Sequence, residues 1–548
     1  MRTPILLVLF IAFAPAKAQT TPSSLRPDIS VDHYMNVRSS AVRLEVDPIS
    51  GRLYYLRTNG ELLVVIDDGI APPHDSVVFT TEDHLLDDTY GMTFHDSDLF
   101  VIGNQVTGSS TQGIVHRARL QPDGSRLWTV AAWTEPYAWG GKAHGFNNVV
   151  VSPDETELYL NCGSRTDHGE VQDVNGAYPE LREEPITAKI LRIPIDANEL
   201  LLPNDEPELA ASEFVFASGV RNTFDMAFDA DGRLFGVENS GDHDDPEEMN
   251  WLRQGHHYGF PWTAGGNSNP TPIVGYDPAL DPLLNPGFPS AATDFQYDPT
   301  FPPAPPFFTE PIRNTGPDAD RVRDPLTSGI RDASDEGIEI RTFTCHRSPL
   351  GLLFDTDSLW GDDLRGDALM LSFTPGGDTL GFSPIAPWGI PVVPADPSSD
   401  LIHLVLTPDL PNDNFSVQAT RIVEGFYLPV DAANANNVIY VLENSGGNER
   451  AIWKVTLPLY TGIDGTIGSH TTPLHVWPVP TADRIMWSTE GKRPNAITLL
   501  DMQGRVCRTV LTRTTNGVIA VNDLPAAVYL LRADYLDGFV HQRFVITK

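Results

Sequence analysis

Three clusters of side chains in this sequence could do chemistry. His144 stands in Lys142-Ala143-His144-Gly145, and an imidazole can take a proton near neutral pH. Arg221, in Gly219-Val220-Arg221-Asn222, carries a permanent charge that would steady an oxyanion as it forms. The third cluster runs from Asp242 to Glu248, between Glu238-Asn239 and Asn250, and its carboxylates are hard oxygen ligands of the kind that hold calcium. Each has a structural alternative: a histidine at a strand entrance, an arginine in a salt bridge, a solvated acidic loop. Trp128, Trp133 and Trp139 either stack on sugars or fill strand cores. The sequence contains no phosphate-binding glycine loop, no Gly-x-Ser-x-Gly elbow and no His-Glu-x-x-His, which removes the commonest nucleotide, serine-hydrolase and zinc-protease chemistries. The three cysteines, Cys162, Cys345 and Cys507, show no CxxC spacing. Cys162 and Cys345 either pair in an oxidising compartment or remain buried thiols.

The elements that must position these groups are short and alternating. Val42-Arg43-Leu44-Glu45-Val46 leads through Asp47-Pro48 to Gly51-Arg52-Leu53-Tyr54-Tyr55-Leu56. The same plan returns at Gly91–Val101, Asn148–Leu160, Asp225–Phe235, Gly351–Asp355 and Pro429–Val441. Period-two alternation buries one strand face, and Asp, Pro, Gly or Asn supplies the turn, so each copy predicts a β-hairpin. A lone hairpin is not stable in water. Six copies fit blades arranged radially, so the predicted fold is all-β, a six-bladed β-propeller. From residue 263 to 340 proline clusters at Pro302-Pro303 and Pro305-Pro306, which predicts an irregular insertion between blades, either walling the channel mouth or decorating it.

Gly219-x-Arg221-Asn222, then Glu238-Asn239 with the acidic stretch Asp242 to Glu248 and Asn250, and finally Tyr258-Gly259-Phe260-Pro261-Trp262 together resemble the signature of soluble glucose and sorbosone dehydrogenases, propellers that use pyrroloquinoline quinone. The resemblance, with the hairpins, spans most of residues 40–458. It implies oxidation of an aldose or related alcohol, with His144 as base and Arg221 and Asn222 at the quinone. It further implies calcium held by the carbonyls of Ser240 and Gly241 with Asp245, Glu247 and Glu248. Both catalytic side chains would then face one cavity wide enough for a flat tricyclic ring. This sequence departs from the family at several points. Gly163-Ser164 replaces Gly-Asp, leaving Asp167 or His168 to supply the missing charge. Leu371-Ser372-Phe373-Thr374 offers no lysine, and Gly425–Asp431 no paired arginines. A tri-anionic quinone loses charge-assisted bonds of about 1.5–3 kcal/mol each. Arg347 is the one cation placed to restore part of that charge.

Lys and Arg total 37 against 73 Asp and Glu, a formal charge of -36, which opposes nucleic acid and anionic membranes as partners. Arg2, the apolar run Ile5–Phe13 and Ala16-Lys17-Ala18 read as a secretory signal peptide over residues 1–18. Residues 19–460 are then the propeller, and 461–548 a small C-terminal β-sandwich. That last part, through Asp501-Met502-Gln503-Gly504-Arg505, Leu524-Pro525-Ala526-Ala527-Val528-Tyr529 and Lys548, resembles the sorting domain of the type IX secretion pathway. It implies handling by that machinery and a soluble protein, secreted or attached to the outer cell surface. Two other functions fit the sequence: a non-catalytic surface propeller binding carbohydrate or protein, and a calcium-dependent lactonase.

Overall fold

Each predicted hairpin is an antiparallel pair in the computed structural model, which describes residues 21–86, 88–284, 293–324, 326, 330–361, 363–374, 399–444, 450–460, 474–489, 493–501, 505–512, 514–535 and 538–547. The proposed signal peptide, Gly462, Gly465, Gly468 and Lys548 lie outside the described residues. The chain divides into two units, Met1–Tyr460 and Thr461–Lys548.

In the first unit, among the described residues, six mainly antiparallel sheets of three to six strands follow one another along the chain, with two further two-stranded ones. The first strands of the six are Ala41–Val46, Asp88–His95, Phe146–Val151, Thr223–Phe228, Pro349–Phe354 and Pro429–Ala435. Each of these strands lies against the first strand of the next sheet, and the last lies against the first, which makes a propeller-like ring. The turns follow from local chemistry: Asp229 accepts from the N–H groups of Asp231 and Arg233, while Gly232 takes φ +79°, a conformation costly for any residue with a Cβ. Apolar residues on facing sheets fill the space between them, as Leu44, Tyr55, Leu99 and Val101 do. The sixth sheet is completed from the far end of the unit, by Ser30–Val37 pairing antiparallel with Arg450–Thr456.

All six first strands carry a register shift at the same place, around Val42, Tyr90, Asn147, Phe224, Gly351 and Val430. A bulge turns a carbonyl out of the ladder, and here three of these carbonyls are collected by one side chain. Arg43 donates from Nε to Tyr90 O at 2.7 Å, from Nη2 to Asn147 O at 3.0 Å, and from Nη2 to Phe224 O. Its Nη1 lies 3.4 Å from Asp225 and 3.6 Å from Asp431. Those carboxylates in turn latch neighbouring sheets, Asp225 taking the N–H of Leu352 and Asp431 that of Leu44. Arg43 is therefore the hub of the ring.

The insertion is less irregular than its prolines imply. Arg313–Pro317 joins the fifth sheet, running parallel to Asn414–Phe426, because Asn314 closes the following turn by donating to Asp318 O and accepting from Gly316 N. None of Cys162, Cys345 and Cys507 is in a disulfide, and the first two are buried.

In the second unit a three-stranded and a four-stranded antiparallel sheet share one apolar core, with Ile485, Trp487, Ile497, Leu531 and Phe544 among its members. Arg505 folds back on Asp501, its Nε 2.7 Å from Oδ2, and Tyr529 donates to Pro525 O. Among the described residues no helix is long and apolar enough to cross a membrane.

Candidate active site

His144 and Arg221 stand at corresponding places, each two residues before the first strand of its sheet, the third and the fourth. The backbone ties them together. His144 N–H donates to Ser164 O at 2.9 Å, and Ser164 N–H donates to Arg221 O at 2.6 Å. Gly163 makes this approach possible: a Cβ there would lie 2.6 Å from His144 Cβ and 3.3 Å from Arg221 O.

The half-buried imidazole has a defined tautomer. Its Nδ1 is 3.2 Å from Ser164 O, and a carbonyl can only accept, so Nδ1 carries the proton. Ser164 Oγ gives its own proton to Thr166 O and sits 3.4 Å from the same Nδ1. Nε2 keeps its lone pair and has no hydrogen-bond partner among the described residues. Burial, then the positive charge of Arg221, pushes the His144 pKa down to about 3. The ring is neutral at any ordinary pH, available as a base but a weak one.

Asp167 serves Arg221 rather than His144. It ion-pairs Arg221 at 2.8 Å and accepts from His168 Nδ1 at 3.2 Å, and has no direct bond to His144 among the described contacts. Burial opposes its ionisation, but Arg221, His168 and Lys142 outweigh burial and hold it well below the carboxylate range. Arg221 also donates to Asp167 O and Asn239 O. Asn222 belongs to a line of amides crossing three sheets: Asn161 donates to Asn147, Asn147 to Asn222, Asn222 to Asn239, and Asn239 to Ser348 Oγ. Such a line fixes every amide orientation at once, and no motif in the sequence announced it.

The acidic run is buried rather than solvated. Its carboxylates face separate partners. Asp245 takes His243 Nδ1 and Asn267 Nδ2, Glu247 takes Ser240 N–H and Oγ–H, and Glu248 takes Gly265 N–H and Asn250 Nδ2. Burial raises Glu248 well above its ordinary range and Glu238 to about 7. Gly241 lies against Asp167, a Cβ there falling 2.7 Å from its carboxylate.

A cavity beside Arg221 is lined by Asp167, Gly241, Asp245, His243, Phe260 and Phe295, among others. It leaves about 20 Å³ for water centres, room for one or two waters. The Phe295 ring, contributed by the insertion, lies 3.8 Å from the His168 ring at 19° and 5.7 Å from the His243 ring at 25°. Phe295 thus lies flat against both imidazoles and forms one wall of the slot beside them. The cations around it are also engaged: Lys142 with Asp242 at 2.7 Å, His243 with Asp245 and Asp281, His168 with Asp167 and Glu170. Arg347 does not line the cavity. It is fully buried and bonds Ser372 Oγ and Asp400, because Asp400, itself completely buried, draws both Arg347 and Arg421 inward.

Residues 46–288 match the family model described as Glucose / Sorbosone dehydrogenase. No curated protein matches the chain. Among solved structures, the holo PQQ domain of pyranose dehydrogenase from Coprinopsis cinerea shares 12% identity, with 80% of this chain and 98% of that chain covered and a TM-score of 0.47. The apo soluble aldose sugar dehydrogenase from Escherichia coli shares 14%, covering 78% and 99%, with a TM-score of 0.46. A gluconolactonase from Xanthomonas campestris shares 10%, covering 81% and 97%, with a TM-score of 0.37.

Proposed function

We propose that this chain is an exported, quinoprotein dehydrogenase-like protein, a six-bladed β-propeller with a C-terminal sorting sandwich, that oxidises an aldose or a related alcohol. The reading rests on His144, whose Nε2 lone pair has no partner among the described residues and whose backbone is tied to that of Arg221 through Ser164. His144 is not among the residues lining the cavity beside Arg221. A sugar hydroxyl reaching Nε2 would give it a proton while a two-electron acceptor took the hydride. Ser164 O holds the imidazole in the required tautomer, and Asp167 holds Arg221. The family match over residues 46–288 supports the same chemistry.

Pyrroloquinoline quinone would supply the two-electron acceptor in such chemistry. Its binding requires Phe295 to swing away from His168 and the paired cations Lys142 and Arg221 to turn towards it. Calcium would take the carbonyls of Ser240 and Gly241 with Asp245, Glu247 and Glu248, once those carboxylates give up their present partners. The experiment is a titration of the purified chain with quinone and calcium, read by absorbance and by dye-linked aldose oxidation. Turnover is expected, with a loss of about 10²–10⁴ in His144→Ala and unchanged quinone absorbance. No turnover in wild type, even at saturating quinone, overturns the proposal.

The Phe295 slot favours a second reading, a non-catalytic surface propeller that binds carbohydrate or protein. Aldose or glycan binding that persists without quinone, and without turnover, would select it. Lactone hydrolysis needing calcium alone would select a lactonase.

A further inference from the structure

Asp244 of the acidic run belongs to a second cluster, which collects three different ligand types. Asp244, Cys345 and His346 each bring one ligand atom to a common place, all within 4.8 Å of one another. Asp244 Oδ1 lies 2.7 Å from His346 Nε2, and Oδ2 is ion-paired with Arg323. The Asp244 side chain is 0% exposed, so a carboxylate has been buried on condition that positive charge accompanies it. Cys345, also buried, adds a sulfur to that charged nest. The segment carrying it is held from both sides: Thr344 N–H donates to Ala319 O, and Thr374 Oγ1 donates to His346 O. His346 and Ser348 adopt φ +55° and +51°, a left-handed backbone that non-glycine residues keep only where the surroundings impose it.

We propose that Asp244, Cys345 and His346 form a zinc site with one open position. The donor set decides the metal. Calcium and magnesium take oxygen ligands, whereas a thiolate, an imidazole and a carboxylate together suit zinc, which commonly keeps three protein ligands and one exchangeable water. The charges balance. The thiol releases its proton to solvent and the imidazole binds in its neutral form, so that one dication meets one thiolate and one carboxylate. Arg323, the counter-ion of Asp244 in the metal-free chain, is then released. None of its three residues lines the cavity beside Arg221, although Asp244 stands between His243 and Asp245, which do.

The test uses tag-free full-length mature protein stripped with a chelator and titrated with cobalt(II), a spectroscopic stand-in for zinc. A near-ultraviolet thiolate-to-cobalt band saturating at one equivalent, with tetrahedral d–d bands bleached by zinc, is expected. Cys345→Ser abolishes the near-ultraviolet band, Asp244→Asn and His346→Gln weaken cobalt binding by at least ~10-fold, and Cys162→Ser leaves the spectrum intact. A wild-type protein that gives no thiolate band at saturating cobalt overturns the site. So does a band that survives Cys345→Ser or disappears with Cys162→Ser.

Discussion

Arg43 and Arg221 are the same device used for opposite ends. Both are buried, and both join carbonyls and carboxylates from neighbouring sheets. Arg43 is surrounded: three bulge carbonyls and two carboxylates leave nothing for a ligand, and the ring closes on it. Arg221 is bound by fewer groups, Asp167 and Asn239, and it lines a cavity. A guanidinium enclosed by its own protein is architecture. One that also borders a cavity has a face left over.

Removing each arginine should separate the two roles. Arg43→Met leaves Asp225 and Asp431 buried without their cation, and a loss of about 3–5 kcal/mol is expected from denaturant midpoints. Arg221→Met should cost less, about 1–2 kcal/mol, because Asp167 keeps His168 and the Asp242 N–H. If the two losses are equal, the contrast collapses. Removing one wall of the slot tests that face: Phe295→Ala should tighten quinone binding about tenfold, ~1.4 kcal/mol, in an absorbance titration. An unchanged affinity would mean that Phe295 does not occupy the quinone's place.

The smallest expected effect is on pH. His144 is pushed down to about 3 from an ordinary 6.5, so the unfolded chain binds that proton first, and stability falls as pH drops from 6.5 towards 3. At the hub, burial and then Asp431 push Glu45 up to about 8 from 4.5. There the folded chain keeps the proton longer, and stability falls as pH rises from 4.5 to 8. His144→Asn should flatten only the acid limb of a Tm–pH curve, and Glu45→Gln only the alkaline limb, each by about 2–4 °C.

The six hairpins were legible because alternation and turn residues are local properties. Position 43 also carried a signal, a charge inside the apolar run Val42-Arg43-Leu44. With the hairpins superposed, Arg43, Asp225 and Asp431 each follow the bulge, but only the ring brings them together. His144 and Arg221 were singled out by their motifs, and the backbone joins them through Ser164. What escaped was everything set by chain segments far apart: Asp167 pairing with Arg221 rather than His144, and a phenylalanine of the proline-rich insertion lying on two imidazoles. Arg347 was misplaced for the same reason, since Asp400, which draws it inward, is distant in sequence.

The pairing of Ser30–Val37 with Arg450–Thr456 sets the order in which this molecule can be completed. A ribosome delivers the outer strand early and its inner partner last, so through most of synthesis Ser30–Val37 waits unpaired, a strand ready to recruit other chains. Assembly waits on a contact of very large sequence separation, and such contacts form slowly. A truncation that spares every blade but removes residues 30–37 would leave the edge at Arg450–Thr456 bare for good, and aggregation, rather than a smaller ring, is the outcome to expect.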